Sequence, residues 1–281
     1  MVARPLQNER LNRFTLNTKS LPSLPSLYLE LEKELRSPLA TARRVDRIIS
    51  KDMAMTAKIL QLANSAYYGV SREVSTVERA VILLGLDLVK NLVLVVHVFS
   101  QFNLAKMKVL PVAGLWRHSM ACSGIARKLA IAENAPRDRV DQATTAGFLH
   151  DIGKLILANT QPEQYQLMAL KARGVPLYLA EEDRFGFNHA ELGGYFLRLW
   201  GLPSPIIQAV AYHHHPHQAP EKVFSPLTAV HVANCLEREK SEGPPTLGRS
   251  EIDEDYLARL SLGGQVEKWQ QLSHQLAGSR T

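Results

Sequence analysis

The sequence predicts an all-α protein on three observations. Helix-start signals recur along the chain, apolar residues fall at three- and four-residue intervals, and no stretch sustains period-two alternation between hairpin turns. Ser37-Pro38, Ser204-Pro205 and Ser225-Pro226 each pair an N-cap hydroxyl with a proline suited to the first helical position. Asp52 is expected to cap a helix from Met53 to Ala66. Ser75-Thr76-Val77-Glu78 reads as a capping box, with Ser75 and Glu78 satisfying each other's amides. Asn188 with Glu191 repeats that logic and puts His189 at the start of a helix, which Gly201 and Pro203 should end.

Between the caps, Ile48, Met55, Ile59, Leu60 and Leu62 form one periodic set, and Ile125, Leu129, Leu149, Ile152 and Leu155 another. A helix near Val81 to Val98 is apolar almost all round and should lie at a core. Asp87, Lys90, Asn91 and His97 interrupt this most hydrophobic stretch, which argues for a buried helix over a membrane span.

The chain has 281 residues, 46% of them hydrophobic, enough for a sizeable core and against global disorder. Its cysteines, Cys122 and Cys235, each stand alone within apolar patterns. They read as buried thiols in a reducing compartment, with no disulfide framework. Met1 to Ser20 is polar and has no apolar signal region, so the reading is cytoplasmic, with no membrane partner. The net charge of +6 comes from basic residues scattered among nearly as many acids. Arg43, Arg44 and Arg47 look like one solvated helix face, and a nucleic-acid role is not expected.

The organisation expected is an arm at 1–20, a main body at 21–240 and a loop with a final charged helix at 241–281. Within the body, Gln101 to Pro111 is the best boundary, dividing a lobe of about 21–105 from a histidine-rich lobe of about 106–240.

Ten histidines are present, most of them in the second half. His118, the pair His150-Asp151, His189, the run His213-His214-His215 and Asn234 are the candidates. Imidazole and carboxylate suit a borderline or hard divalent ion. A hydrogen-bonded core residue at His118, and helix-end histidines at 213–215, would serve equally well, and spacing alone leaves both readings open. The phrase Phe148-Leu149-His150-Asp151-Ile152-Gly153-Lys154 shifts the balance. An aspartate in an apolar helix pattern is costly unless paired or coordinated, and the glycine and lysine after it suggest close packing and a local cation. On one helix, His150 and Asp151 would point about 100° apart and could share an ion only from an edge facing a cavity.

His150-Asp151-Ile152-Gly153-Lys154 resembles the signature of the HD superfamily of metal-dependent phosphohydrolases, with Trp116-Arg117-His118-Ser119 similar to its upstream histidine. Asn188 to Gly193, Leu199 to Pro203 and Tyr212-His213-His214-His215-Pro216 resemble the HDOD branch. So do Leu21 to Pro25, Ile59 to Gly69 with its Asn64-Ser65-Ala66-Tyr67-Tyr68-Gly69 phrase, and Ala80 to Gly85. The resemblance spans about Leu21 to Pro216 and fades by Glu239.

It implies a bilobed helical bundle with an HD-like C-terminal lobe, found in bacterial signalling proteins. It also implies that His118, His150, Asp151, His189, His213 and His214 match metal ligands of catalytic relatives, with Lys154 as a phosphate-contact candidate. Two departures bear on chemistry: Asn234 stands where the resemblance implies a final aspartate, and Gly114 where it implies a further glutamate. No GYP phrase follows the histidine pair. An amide offers a neutral oxygen but no charge and no base.

The expectation is therefore a regulatory module with little or no catalysis of its own. It would act through protein partners, self-association included, and hold at most one divalent ion on His118, His150 and Asp151. Asn64, Ser65 and Tyr68 would form a packing or interaction motif. The runner-up is a phosphohydrolase of nucleotides or cyclic dinucleotides.

Overall fold

Capping side chains, prolines and glycines cut the chain into helices, and the described residues contain no strand. In this computed structural model residues 8–17, 24–68, 73–102, 111–172, 174–240 and 251–278 are described. They fall into two units, one drawn from Pro22–Phe102 and the other from Met1–Leu21 and Asn103–Ala277. The first helix by sequence, α1 (Glu9–Asn17), belongs to the second of these units.

The unit drawn from Pro22–Phe102 contains α2 (Ser26–Leu35), α3 (Ala42–Ile49), α4 (Met53–Ala63), a 3-10 turn at Ala66–Tyr68, α5 (Val77–Leu84) and α6 (Leu86–Gln101). Thr41, Asp52 and Thr76 are the residues that cap α3, α4 and α5. Each side chain accepts the amide three residues on, Arg44, Met55 and Arg79 respectively. The capping role expected of Ser37 thus falls to Thr41, because Ser37 is spent in a turn where its hydroxyl accepts the Leu39 amide at 3.2 Å. The expected box at Ser75 gives way to a single cap at Thr76, because the residue three on, Arg79, cannot return the bond.

Helix α4 stops at Ala63, short of Ala66, because Asn64 turns away. Its amide donates to the Leu60 and Val74 carbonyls at 2.9 Å each and accepts the Val74 amide at 2.7 Å. The single helix expected over Val81 to Val98 is broken at Gly85, whose φ of 96° lies where a side chain would be strained, and the two halves meet at 119°. Past the break, Leu88, Val89, Leu92 to Val96, Val98 and Phe99 are buried, and α6 packs on α2, α4 and α5. No single helix among the described residues is long and apolar enough to cross a membrane, although the bent α5–α6 pair passes that test by length and composition.

The other unit contains α1 and then α7 (Val112–Ala132), α8 (Arg137–Leu149), α9 (Ile152–Thr160), α10 (Pro162–Lys171), α11 (Leu177–Phe185), α12 (His189–Leu199), α13 (Ser204–Tyr212), α14 (Pro226–Lys240), α15 (Glu254–Arg259) and α16 (Val266–Gly278). Helices α7, α8, α13 and α14 pack on one another, and α12 bridges α9 and α13. Within the segment expected as an arm, α1 buries Leu11 completely, sets Phe14 tilted against Phe187 at 5.1 Å and is tied by the Asn8 amide to the Gly186 carbonyl at 2.8 Å. Apolar contact holds it down.

Asn188 and Glu191 form the expected capping box, and Gly201, at φ 71°, ends the α12 turn. Pro226 is the first residue of α14, as read, but the Ser225 hydroxyl before it makes no cap bond, and the Ser225 amide donates to Thr228 Oγ1 at 3.3 Å. Ser204 is instead the first residue of α13 and makes no side-chain cap bond, since Pro203 has already fixed the entry. In the final segment, Trp269 is fully buried and donates to Glu133 at 3.0 Å. Both cysteines are buried and unoxidised.

Candidate metal centre

A break in the chain builds the centre. Leu149, Ile152 and Leu155 do not share one helix, because α8 ends at Leu149 and α9 begins at Ile152. His150 is therefore the C-cap of the first and Asp151 the N-cap of the second. The shared helix edge expected for this pair is replaced by a corner, which frees both side chains from helical spacing. At that corner Gly153 lets α12 approach: a Cβ there would lie 2.0 Å from the His189 carbonyl oxygen. The capping box makes His189 the first residue of α12, and His213 closes α13 with His214 next. His118 projects from the middle of α7. All seven candidates for metal and phosphate contact, Lys154 included, lie in this one unit, and Asn64, Ser65 and Tyr68 lie in the other.

Four imidazoles are anchored alike. Each has Nδ1 against an acceptor: the Gly147 carbonyl for His150 at 2.8 Å, the Val210 carbonyl for His213 at 2.8 Å, Glu181 Oε2 for His189 at 2.5 Å, and Glu237 for His118. An acceptor at Nδ1 fixes the proton there and leaves the Nε2 lone pair free, as in the outer shells of metal-binding histidines.

Those Nε2 atoms converge on Asp151. His118 and His150 stand 3.5 and 3.4 Å from Oδ2 and 3.1 Å from each other. His189 and His213 stand 3.1 and 3.8 Å from Oδ1, and His214 Nε2 lies 3.0 Å from His189 Nε2. His214 also stacks on Tyr178, with ring centroids 4.2 Å apart. Three groupings could hold an ion: His118–Cys122–His150, His189–His213–His214 and His150–Asp151–His213.

Charge here is scarce and already committed. The Lys154 ammonium donates to Asp151 Oδ2 at 2.5 Å, with both side chains buried. Burial alone would raise the Asp151 pKa, but His150, Lys154 and His189 outweigh it and hold the carboxyl well below the usual range. Burial pushes His150 down to about 3 and His213 well below its ordinary value, so both rings are neutral ligands at physiological pH. His213 Nε2 has no hydrogen-bond partner among the described residues, and neither amide atom of the fully buried Asn234 has one. Orphaned buried groups are costly, and an ion would satisfy the histidine. The donor set thus fits a divalent ion.

Sequence reasoning did not find three participants. Glu181, fully buried, takes both the amide and Nδ1 of His189 while Tyr165 donates to it at 3.3 Å, and no local pattern marks it. Glu237 holds His118 from 119 residues away. Cys122, read as a plain buried thiol, lies with Sγ 3.6 Å from His118 Nε2, and its one-turn spacing from His118 was the available signal. Asn234 is buried within α14, and Gly114 lies one turn before His118 with only Pro111 and Arg117 side chains near its missing Cβ.

An HDOD domain profile matches residues 21–216. Among solved structures, an HDOD domain protein of unknown function from Geobacter sulfurreducens superposes with a TM-score of 0.69 at 24% identity, covering 97% of this chain and 98% of that one. A candidate phosphohydrolase from Shewanella amazonensis SB2B gives 0.73 at 24% identity, covering 98% and 96%. At such identity these share the fold. An uncharacterised protein of Treponema pallidum (strain Nichols) is 27% identical over 230 residues, 78% of this chain, and the match spans only 42% of that protein's length. The profile match covers well over half of the sequence, and the chain belongs to the HDOD domain family.

Proposed function

We propose that this chain is a bacterial signal-transduction module that regulates protein partners, self-association included, in the cytoplasm. Its histidine pocket holds one divalent ion, on His118, His150 and Asp151, without efficient turnover. The observation that carries this reading is the Asp151–Lys154 pair. Asp151 is the carboxylate that faces all the inward Nε2 atoms, Lys154 already neutralises it at 2.5 Å, and position 234 offers an amide. Two dications would add four positive charges to a pocket with one shared carboxylate and a resident ammonium, which low-dielectric surroundings punish severely.

The test supplies Mn²⁺, Fe²⁺ or Zn²⁺ with a cyclic dinucleotide and with bis(p-nitrophenyl) phosphate. Hydrolysis no faster than the metal-only blank is expected. Turnover that disappears in Asp151→Asn would overturn the reading. Proximity labelling in the source cells should return the same partner set for wild type and Asp151→Asn. A partner set that vanished in the variant would tie recruitment to the pocket.

The runner-up, a metal-dependent phosphohydrolase of nucleotides or cyclic dinucleotides, is favoured by the shared anchoring of the four imidazoles. His150 and Asp151 would hold the ion, His213 or His214 would contact phosphate, and Lys154 would stabilise its charge. The ion would polarise a phosphoryl oxygen and acidify water. Against this stand the engagement of Lys154 by Asp151 and the burial of His213 at 1% exposure.

A further inference from the structure

We propose that Cys122 is a metal ligand: its thiolate, with His118 and His150, forms a position for one thiophilic divalent ion of the zinc class. The proposal rests on the single-ion reading above and deepens it by giving Cys122 the ligand place there assigned to Asp151 and by naming an ion type.

Geometry comes first. Cys122 follows His118 by one helical turn on α7, so both side chains leave the same face. Its Sγ lies 3.6 Å from His118 Nε2, the two Nε2 atoms are 3.1 Å apart, and all three ligand atoms lie within 4.8 Å of one another. Tetrahedral zinc, with bonds near 2.3 Å to sulfur and 2.0–2.1 Å to nitrogen, requires S···N separations of about 3.6 Å and N···N separations of about 3.3 Å. The Sγ···Nε2 and Nε2···Nε2 separations at His118 already stand close to that spacing, and Sγ, which lies 3.8 Å from His118 Nδ1 as well, has to swing out from over the ring to meet the lone pair. Both imidazoles are oriented from outside by Gly147 and Glu237, so lone pairs rather than protons face the position.

Charge decides which ion enters. Asp151 is occupied by Lys154, and Asn234 brings none. The thiolate supplies one negative charge in direct contact, and Glu237 a second through His118, which together balance a dication. The thiol also lies against α14, 3.9 Å from the carbonyl of Ala233, the residue before that neutral amide. A set with a thiolate and two imidazoles, beside a carboxylate whose Oδ2 is already held by Lys154, selects zinc, or cobalt as its stand-in, over the oxygen-seeking magnesium or manganese. On binding, the Cys122 thiol proton leaves to solvent and the S–metal bond forms, so about one proton is released per ion when the pH lies below the thiol pKa.

The test is a Co²⁺ titration of the metal-stripped full chain, read in the visible d–d bands and in the near-ultraviolet sulfur-to-cobalt charge-transfer band. Wild type and Cys235→Ala should bind one equivalent with the charge-transfer band. Cys122→Ser should lack the band and lose more than about 100-fold in zinc affinity, since outer partners alone are worth 10–100-fold. One cobalt bound without the band, and lost in His150→Ala, would leave the single-ion reading standing and overturn the thiolate. A band abolished by Cys235→Ala would also overturn it. No cobalt or zinc bound to wild type would overturn both. If Cys122→Ser does not fold, as circular dichroism would show, the band of the Cys235→Ala protein decides alone.

Discussion

Gly153→Ala should disable the pocket through a single methyl group. The Cβ would lie 2.0 Å from the His189 carbonyl oxygen, 2.7 Å from its carbon and 2.8 Å from its Cα, all of them backbone. Ordinary contact begins near 3.4 Å, so α12 must retreat by about 1.4 Å. That retreat carries His189 Nε2 away from Asp151 Oδ1 and strains both hydrogen bonds to the buried Glu181. Overpacking costs about 1–3 kcal/mol, and a buried carboxylate deprived of donors adds about 1–3 kcal/mol. Alanine's helical preference returns less than about 1 kcal/mol. A net loss of about 3–4 kcal/mol is expected, a large share of a typical 5–15 kcal/mol total. The assay is urea unfolding followed by circular dichroism, in chelator, with Gly263→Ala as control because nothing lies within 4 Å of that position. The control should stay within about 0.5 kcal/mol. Gly153→Ala within about 1 kcal/mol of wild type, with unchanged cobalt binding, would refute the close approach of α9 and α12 and the dependence of the pocket on it.

In the metal-free protein, stability should rise with pH between about 5 and 6.5. Burial depresses the folded pKa of His150 to about 3, with His213 and His231 shifted the same way, so their contribution is complete above the unfolded value of 6.5 and is lost as pH falls. Glu191, raised by burial to about 7, opposes them because its contribution is lost as pH rises from 4.5. The histidines outnumber it, so the net slope is positive; a urea midpoint that falls over this range would contradict the neutral-histidine pocket. Lys154→Met, which strands Asp151, should cost about 3–5 kcal/mol without metal, and unchanged unfolding in chelator would mean the pair is not the neutralised unit described. Asn64→Ala removes three hydrogen bonds that pin Val74 and Leu60 and should cost about 1–2 kcal/mol. A neutral result in thermal melts would free that motif from its loop-closing role.

Legibility followed the range of the interactions. Asp52 and the Asn188–Glu191 box could be read because a cap and its amide are three residues apart. Ser37 and Ser204 misled because a serine before proline can equally make a turn or start the helix itself, and the choice lies with Thr41 and Pro203 beyond the pattern. The apolar run over Val81 to Val98 hid the break at Gly85, whose positive φ is a property of the packed chain. In the pocket, the histidines and Asp151 were legible by residue type and by motif. Their acceptors were not: Gly147 and Val210 act through backbone carbonyls that every sequence has, and Glu237 acts from another helix.

The pocket is made from helix ends more than from helix faces, and this explains how such a site can lose or change chemistry while the fold persists. His150, Asp151, His189 and His213 all sit at caps or first turns, where the backbone leaves the helical ladder and turns the buried side chain into the pocket. The hydrophobic contacts of α7, α8, α13 and α14 would survive the loss of any one of them. Asn234 and Cys122 are the converse case. They lie within α14 and α7, fully buried, so a change at either must preserve volume. Asparagine in place of aspartate meets that constraint while removing a charge, and cysteine packs as a small hydrophobe while bringing a potential thiolate.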